Sequence, residues 1–330
     1  MKIVSKHSVA ALFAATALGA HAQSSVTAYG LLDLSIGSTK APGGIAQTGI
    51  DSGKLTTSNF GFRGSEDLGG GLSAVFKLEG FLRADTGESG RFNGDTLFSR
   101  NASVGLSSKD FGTVTLGRNT TPLFVSTLSF NAFGDSFGFS PSIRHYFSNG
   151  TVTGDSGWSN SAVYSSPNFS GFKFGLAAAT KGGGNGNSNG GNWGADVGYA
   201  SGPLSTAFVF QNVKKDGATP VADTRTWQLN GAYDFGVAKT FLQYGEVENR
   251  TVPNTYRIAG VGARIPVGAG ALLAQWGRLA PKTGSHRNTL SLGYSHNLSK
   301  RTELYAVAMR DKIDGTSSGH GYSLGIRHRF

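Results

Sequence analysis

The chain has 330 residues, 50 of them glycine, with 22 Phe, 10 Tyr, 9 Pro, 2 Met and no Cys. Thirty Lys and Arg against 20 Asp and Glu leave a formal charge of +10, which suits nucleic acid, an anionic membrane surface or small anions as partners. The lack of cysteine excludes a disulfide staple, and no uncharged apolar run reaches the ~18 residues a membrane-spanning helix needs.

The first segment, "MKIVSKHSVAALFAATALGAHA", puts Lys2 and Lys6 before a short apolar run from Val9 to Leu18 and ends on Ala20-His21-Ala22. That is the pattern of a cleaved secretory signal over residues 1–22, leaving 23–330 as the folded domain. Without the two lysines the remainder holds 28 basic and 20 acidic residues, a formal +8. An exported chain rarely meets nucleic acid, so membrane surface and small anions lead.

From there the chain alternates. In "SSVTAYGLLDLSIG", Val26, Ala28, Gly30, Leu32, Leu34 and Ile36 share one face, while Ser25, Thr27, Tyr29 and Asp33 share the other, with Leu31 as an exception. "LSAVFKLEGFLR" sets Leu72, Ala74, Phe76, Leu78 and Leu82 against Ser73, Lys77, Glu79 and Arg83. "GFKFGLA" and "TWQLNGAYDF" repeat the pattern with Phe172, Phe174 and Leu176, then with Trp227, Leu229 and Tyr233. Period two marks strands with one apolar and one polar face, and no segment shows a clear helical period.

Short turns alternate with long polar connections. The short ones are EDLGGG, SSKDFG, SPNFSG, ASGP, DFGV, PVGAG and NLSK; the long ones cover roughly 38–54, 84–95, 119–160, 181–191, 214–223, 249–254, 281–287 and 312–318. Seven short and eight long connections join sixteen strands. An even count leaves both termini at one rim, so the last strand can pair with the first. The reading is all-β: a sixteen-stranded antiparallel transmembrane barrel, the one strand architecture that satisfies its backbone in lipid. A soluble sandwich also alternates, but it explains neither the aromatic-rich strands nor the leader. The terminal "GYSLGIRHRF" then places Tyr322, Leu324, Ile326 and Phe330 on the lipid side, and Arg327 and Arg329 in the lumen.

Several blocks resemble the trimeric general porins of Gram-negative bacteria, in the beta-proteobacterial and neisserial branch. They are "SSVTAYGLLDLSI", "NFGFRGSEDLGGGLSAVFKLE", "FSRNASVGLSSKDFGTVTLGRNTTP", "SPNFSGFKFG" and "YSLGIRHRF". The resemblance implies a homotrimer in the outer membrane, in contact with its lipid and lipopolysaccharide. It also implies a third loop folded into the lumen, and a terminal Phe330 read by the barrel-assembly machinery. That third loop, after Thr121, carries five Phe between 124 and 139, enough apolar surface to pack Phe124, Phe130 and Phe133 against the wall.

Alternation puts Arg63, Lys77, Glu79, Arg83 and Lys173 on the polar face. Arg100 and Arg118 share parity with Val104, Leu106, Val114 and Leu116, so only the resemblance assigns them to the lumen. In the family a wall arginine usually stands where this chain has Asn59, and in another branch an arginine follows the tyrosine that here precedes Ser165. Both departures weaken the basic cluster. The third loop offers one acid before Gly154, Asp135, with Arg144 and His145 nearby in sequence. Cations still exceed acids, so the expectation is an outer-membrane channel for passive diffusion of ions and small hydrophilic solutes, anionic or neutral, with modest anion selectivity. The alternatives are a substrate-preferring channel for phosphate or carboxylates, and a plugged structural barrel. "GGGNGNSNGG" lacks the Lys-Ser/Thr ending of a phosphate loop. His145, His286, His296, His320 and His328 have no metal-ligand spacing, and no Ser–His pairing stands out. Neither an enzyme, a cofactor nor a metal is expected.

Overall fold

The computed structural model describes residues 25–148, 156–180, 191–214 and 223–330; the expected signal segment and most of the Gly/Asn run lie outside these residues. β1 is Ser25–Lys40, and β2 comes in two arms, Ala46–Ser52 and Asn59–Gly69. β3 is Leu72–Arg83, β4 Asn101–Ser108 and β5 Gly112–Thr120. Helices α1 (Pro122–Ser129) and α2 (Pro141–Phe147) follow. β6 is Gly157–Ser165, β7 Phe172–Ala179, β8 Asn192–Ser201, β9 Leu204–Lys214 and β10 Asp223–Asp234. β11 is Lys239–Asn249, β12 Asn254–Val267, β13 Gly270–Pro281, β14 Arg287–Asn297, β15 Thr302–Ile313 and β16 Gly319–Arg329.

Each strand pairs antiparallel with the next, and β16 returns to β1 from Leu31↔Arg329 to Lys40↔His320. The backbone of Phe330 exchanges both hydrogen bonds with Gly30, at 3.1 and 3.2 Å, so closure uses the last residue of the chain. The result is a closed sixteen-stranded barrel. Closure matters because an open edge in lipid leaves unpaired N–H and C=O groups, each costing several kcal/mol.

The solvation of the two faces is inverted relative to a soluble domain. Val104, Leu106, Val114, Leu116, Leu324 and Ile326 are exposed, while Gln211, Gln228 and Thr289 are fully buried. Apolar residues face lipid and polar ones the lumen, as the period-two pattern requires. Trp227, Leu229 and Tyr233 fall outside and Gln228 and Asn230 inside.

Two features differ from the sequence expectation. The connection expected at 38–54 is mostly strand: β1 runs to Lys40 and pairs with the first arm of β2 from Leu34↔Ser52 to Lys40↔Ala46. Beyond the lipid both faces are wet, so that arm carries no apolar alternation to read; its residues from Ala46 to Ile50 are all exposed. The second difference is the pair of helices. Thr121 and Ser140 cap them through their hydroxyls, accepting from Phe124 N and Ile143 N at 3.3 Å each, and Pro122 and Pro141 start them. This Ser/Thr-Pro pairing is a legible start signal, but each helix is too short to show a period.

Both helices lie inside the barrel. α1 packs on β7, β8 and β9, and α2 on β12, β13 and β14. Phe133 and Phe139 join Leu55, Phe241, Leu273, Tyr305 and Met309 in one buried cluster; Leu123 and Tyr146 join Val209, Val247 and Ile258 in another. Phe124 and Phe133 are buried and Phe130 half-buried. Full burial stabilises a Leu or Phe by about 1.5–3 kcal/mol, so these contacts hold the loop to the wall. The wall makes room with glycines. An added Cβ at Gly277 would meet Pro141 Cβ at 2.8 Å, and one at Gly293 would meet Phe133 Cε1 at 3.3 Å.

Candidate functional site

Across the lumen from α2, the wall built by β2 to β5 is basic. Partway up this wall, Glu79 collects three partners: Tyr29 Oη donates to it at 2.8 Å, Lys77 Nζ sits at 2.9 Å and Arg100 Nη1 at 3.9 Å. Arg63 stands directly opposite Lys77 in the sheet, with its guanidinium 4.9 Å from the centre of the Tyr29 ring. Like charges directly opposite destabilise a sheet; the Tyr29 ring and the Glu79 carboxylate offset that repulsion.

Toward the long-loop rim a cavity of about 700 Å³ lies between this wall and the third loop. Arg83 and Arg118 line it from the wall, Arg91 from the connection between β3 and β4, and Phe137 and Phe147 from the third loop. Arg83 pairs with Glu88 at 2.8 Å and donates to Asn93 Oδ1 at 2.7 Å. Arg91 pairs with Asp95 at 2.8 Å, its guanidinium 5.2 Å from the Phe81 ring centre and 5.5 Å from that of Phe92. Burial alone would raise the Asp95 carboxyl; the hydrogen bonds and charge of Arg91 outweigh it and hold the group at about 2. Arg100 lies over Phe81 as well, at 5.9 Å.

Arg118 reaches this cavity despite its parity with Val114 and Leu116. Gly117 has φ +127°, and the register against β6 shifts between Gly117↔Ser161 and Asn119↔Trp158. A β-bulge at that point re-aims the next side chain, which donates to the Ser99 carbonyl and, at 3.0 Å, to Ser159 Oγ. Arg100 precedes β4, so strand parity does not govern it. Sequence reasoning missed Arg91, in the connection between β3 and β4, because no period exists there; the one clue is Asp95 four residues on.

The third loop distributes its own charges differently from the sequence expectation. Asp135 accepts from Thr56 Oγ1 at 3.1 Å, and Thr56 also accepts from Arg327. Arg144 instead pairs with Asp311 on β15, at 3.1 Å, and Asp311 also holds Arg287 and Thr289 of β14. His145 Nε2 shares a 3.0 Å hydrogen bond with Thr289 Oγ1. Arg144 and His145 therefore fasten α2 to the β14–β15 wall, away from Asp135. Asn59 is buried on the inner face, donating to the Thr57 carbonyl at 2.9 Å. Lys173 also points inward, beside Asp196 in a cavity of about 410 Å³ against α1.

Thr56 belongs to an inward kink between the arms of β2. Asp33 organises it, accepting from Leu55 N at 2.8 Å, Thr56 N at 2.6 Å and Tyr305 Oη at 2.6 Å. The kink meets the loop tip: Ser136 Oγ donates to the Lys54 carbonyl at 2.7 Å.

A closed barrel with a polar bore narrowed by its own loop is a channel, and the family model for Gram-negative porins matches residues 8–316. This chain belongs to the Gram-negative porin family. It is 34% identical over 360 residues to outer membrane porin protein 32 of Delftia acidovorans, covering 98% of this chain and all of that one. It is 32% identical over 386 residues to an outer membrane porin of Bordetella pertussis, covering 97% and 98%. Among solved structures it is similar to an anion-selective porin from Comamonas acidovorans, with 31% identity, TM-score 0.78, and coverage of 93% of this chain and 100% of that one. The protein is thus an outer-membrane porin, whose water-filled barrel passes small hydrophilic solutes by diffusion.

Proposed function

We propose that this porin favours small anions over cations, modestly, and that Arg63, Lys77, Arg83, Arg91, Arg100 and Arg118 set the preference. The observation that carries this reading is that the wall and the connection after β3 bring those six basic side chains together, with Glu79, Glu88 and Asp95 as the acids paired to them. Ions crossing a narrow bore pass within a Debye length of such groups, ~8 Å at physiological salt, so the excess sign selects. Asp135 on the loop tip opposes it. Asn59, in place of a further arginine, keeps the preference modest. The reversal potential in a KCl gradient tests the proposal: it should favour chloride, and a potassium-favouring value defeats it.

The other assignments belong to the same reading. Residues 1–22 act as a cleaved signal, and Phe330 serves the assembly machinery as well as barrel closure. The working unit is a homotrimer. An outer membrane protein of Vibrio cholerae with the same fold has a trimer form, and a band of three times the monomer mass on an unheated gel checks the assignment for this chain. Lys40, His320 and Arg310 are direct cross-strand neighbours near the long-loop rim, on the face that carries Tyr322 and Leu324. That row suits the phosphates of lipopolysaccharide.

A further inference from the structure

We propose that the constriction recognises aryl monocarboxylates in preference to other small anions. The inference rests on the anion-channel reading above and names the solute class that the cavity beside the third loop fits best. Two unlike sets of side chains line the cavity of about 700 Å³. One presents Arg83, Arg91 and Arg118; the other presents Phe137 and Phe147, both half-buried on the loop.

The loop phenyls are held in place. Phe124 stacks on Phe137 at 5.9 Å and meets Phe147 edge-on at 5.1 Å, so the three rings form a fixed apolar face. The Arg91 guanidinium lies over Phe81 and Phe92, with 28% of its side chain exposed. The Arg91 fork is taken by Asp95, through Nε and Nη2 at 2.8 and 3.1 Å, and Arg83 by Glu88, so a solute carboxylate is drawn by the excess of three guanidiniums over two carboxylates, while a guanidinium face stacks on aromatic rings. A cavity this size lies within the ~300–1,000 Å³ range of small-molecule sites, which combine apolar walls with a few placed polar groups.

The charge alone separates neither chloride from acetate nor acetate from any other monoanion, and draws phosphate at least as strongly. Those anions leave Phe137 and Phe147 in water. A neutral arene covers the phenyls and ignores the arginines. An anion with a flat apolar end answers both faces at once, and its ring gains the burial that the others forgo. The bound solute occupies the path of chloride, so recognition registers as a fall in current.

The test uses the native porin in planar bilayers with KCl, adding benzoate, acetate or benzamide as probes. Benzoate should halve the current at about one-tenth the concentration of acetate, a difference of about 1.4 kcal/mol. Benzamide, which has the ring without the charge, should block far more weakly than benzoate. Phe147→Ser should shrink the benzoate-to-acetate ratio toward one, whereas Arg91→Gln should weaken block by both anions. Equal potency of benzoate and acetate on the native channel overturns the proposal, as does benzamide matching benzoate. A variant Phe147→Ser that conducts and keeps the full ratio removes the loop face from the site and overturns it too. Failure of the underlying reading looks different: a native channel whose reversal potential favours potassium, whatever the organic anions do.

Discussion

Replacing Gly277 on β13 probes how the third loop is seated. A Cβ there would lie 2.8 Å from Pro141 Cβ and 3.2 Å from His145 Cε1. Non-bonded carbons rest about 3.5–4.0 Å apart, so a single methyl overlaps α2 by roughly 0.7 Å at the closest contact. The wall has no room to retreat, because β13 is paired on both edges, with β12 and β14. α2 must instead move toward the bore. That movement stretches the Gln275 Nε2 to Ser142 Oγ hydrogen bond of 2.7 Å and the 3.0 Å contact between His145 and Thr289. Overpacking of this kind costs about 1–3 kcal/mol, and a strained hydrogen bond adds up to about 1 kcal/mol. Gly277→Ala should therefore lower the thermal midpoint of the detergent-solubilised barrel and reduce single-channel conductance, with Gly277→Val worse on both. Gly231 on β10 is the matched control, since a Cβ there meets nothing within 4 Å, and Gly231→Ala should leave both readouts near wild type. If Gly277→Ala conducts and melts like Gly231→Ala, α2 does not rest on β13 and the account of the constriction is wrong.

Other perturbations follow from the same contacts. Asp33→Ala strands two buried backbone N–H groups and the Tyr305 hydroxyl, at about 1–3 kcal/mol each, so its melting point should drop further than that of Asp33→Asn, which keeps one acceptor. Charge neutralisation by Arg91→Gln with Arg118→Gln should move the reversal potential toward zero; no movement would take those two side chains out of the permeation path. Phe330 lies over Gly30, where a Cβ would meet the ring at 2.4 Å, so both Phe330→Ala and Gly30→Val should slow folding into detergent micelles, scored by gel mobility without heating. Asp95, ordinarily near 3.8 but held at about 2, gives the pH dependence. A carboxyl lowered in the folded state contributes fully above its unfolded value of 3.8, and that contribution fades as pH falls from there through about 2. The selectivity difference between wild type and Asp95→Asn should be the same at pH 7 and pH 4. An ordinary carboxyl would be about two-fifths protonated at pH 4 and would lose that share of the difference.

Which face each strand residue takes was readable from sequence, because lipid on one side and water on the other impose a two-residue period that needs no knowledge of partners. Val26 to Ile36 follow it but for Leu31, Tyr322 to Phe330 but for His328, and Trp227 to Tyr233 throughout; Arg63, Lys77, Glu79 and Arg83 point inward for that reason alone. Wherever the period lapses, only the tertiary structure decides. Arg118 turns into the bore because one bulge after Gly117 breaks parity, and Arg91 joins it from a connection with no period at all. Arg144 takes Asp311, 167 residues away, as its partner rather than nearby Asp135, because the loop's path across the lumen sets its neighbours. The glycines at 277 and 293 look like any others in the chain until α2 and Phe133 lie on them. Alternation is a local consequence of two solvents meeting one sheet; the constriction is a long-range packing of a loop against the far wall, and no short window of sequence contains both of its sides.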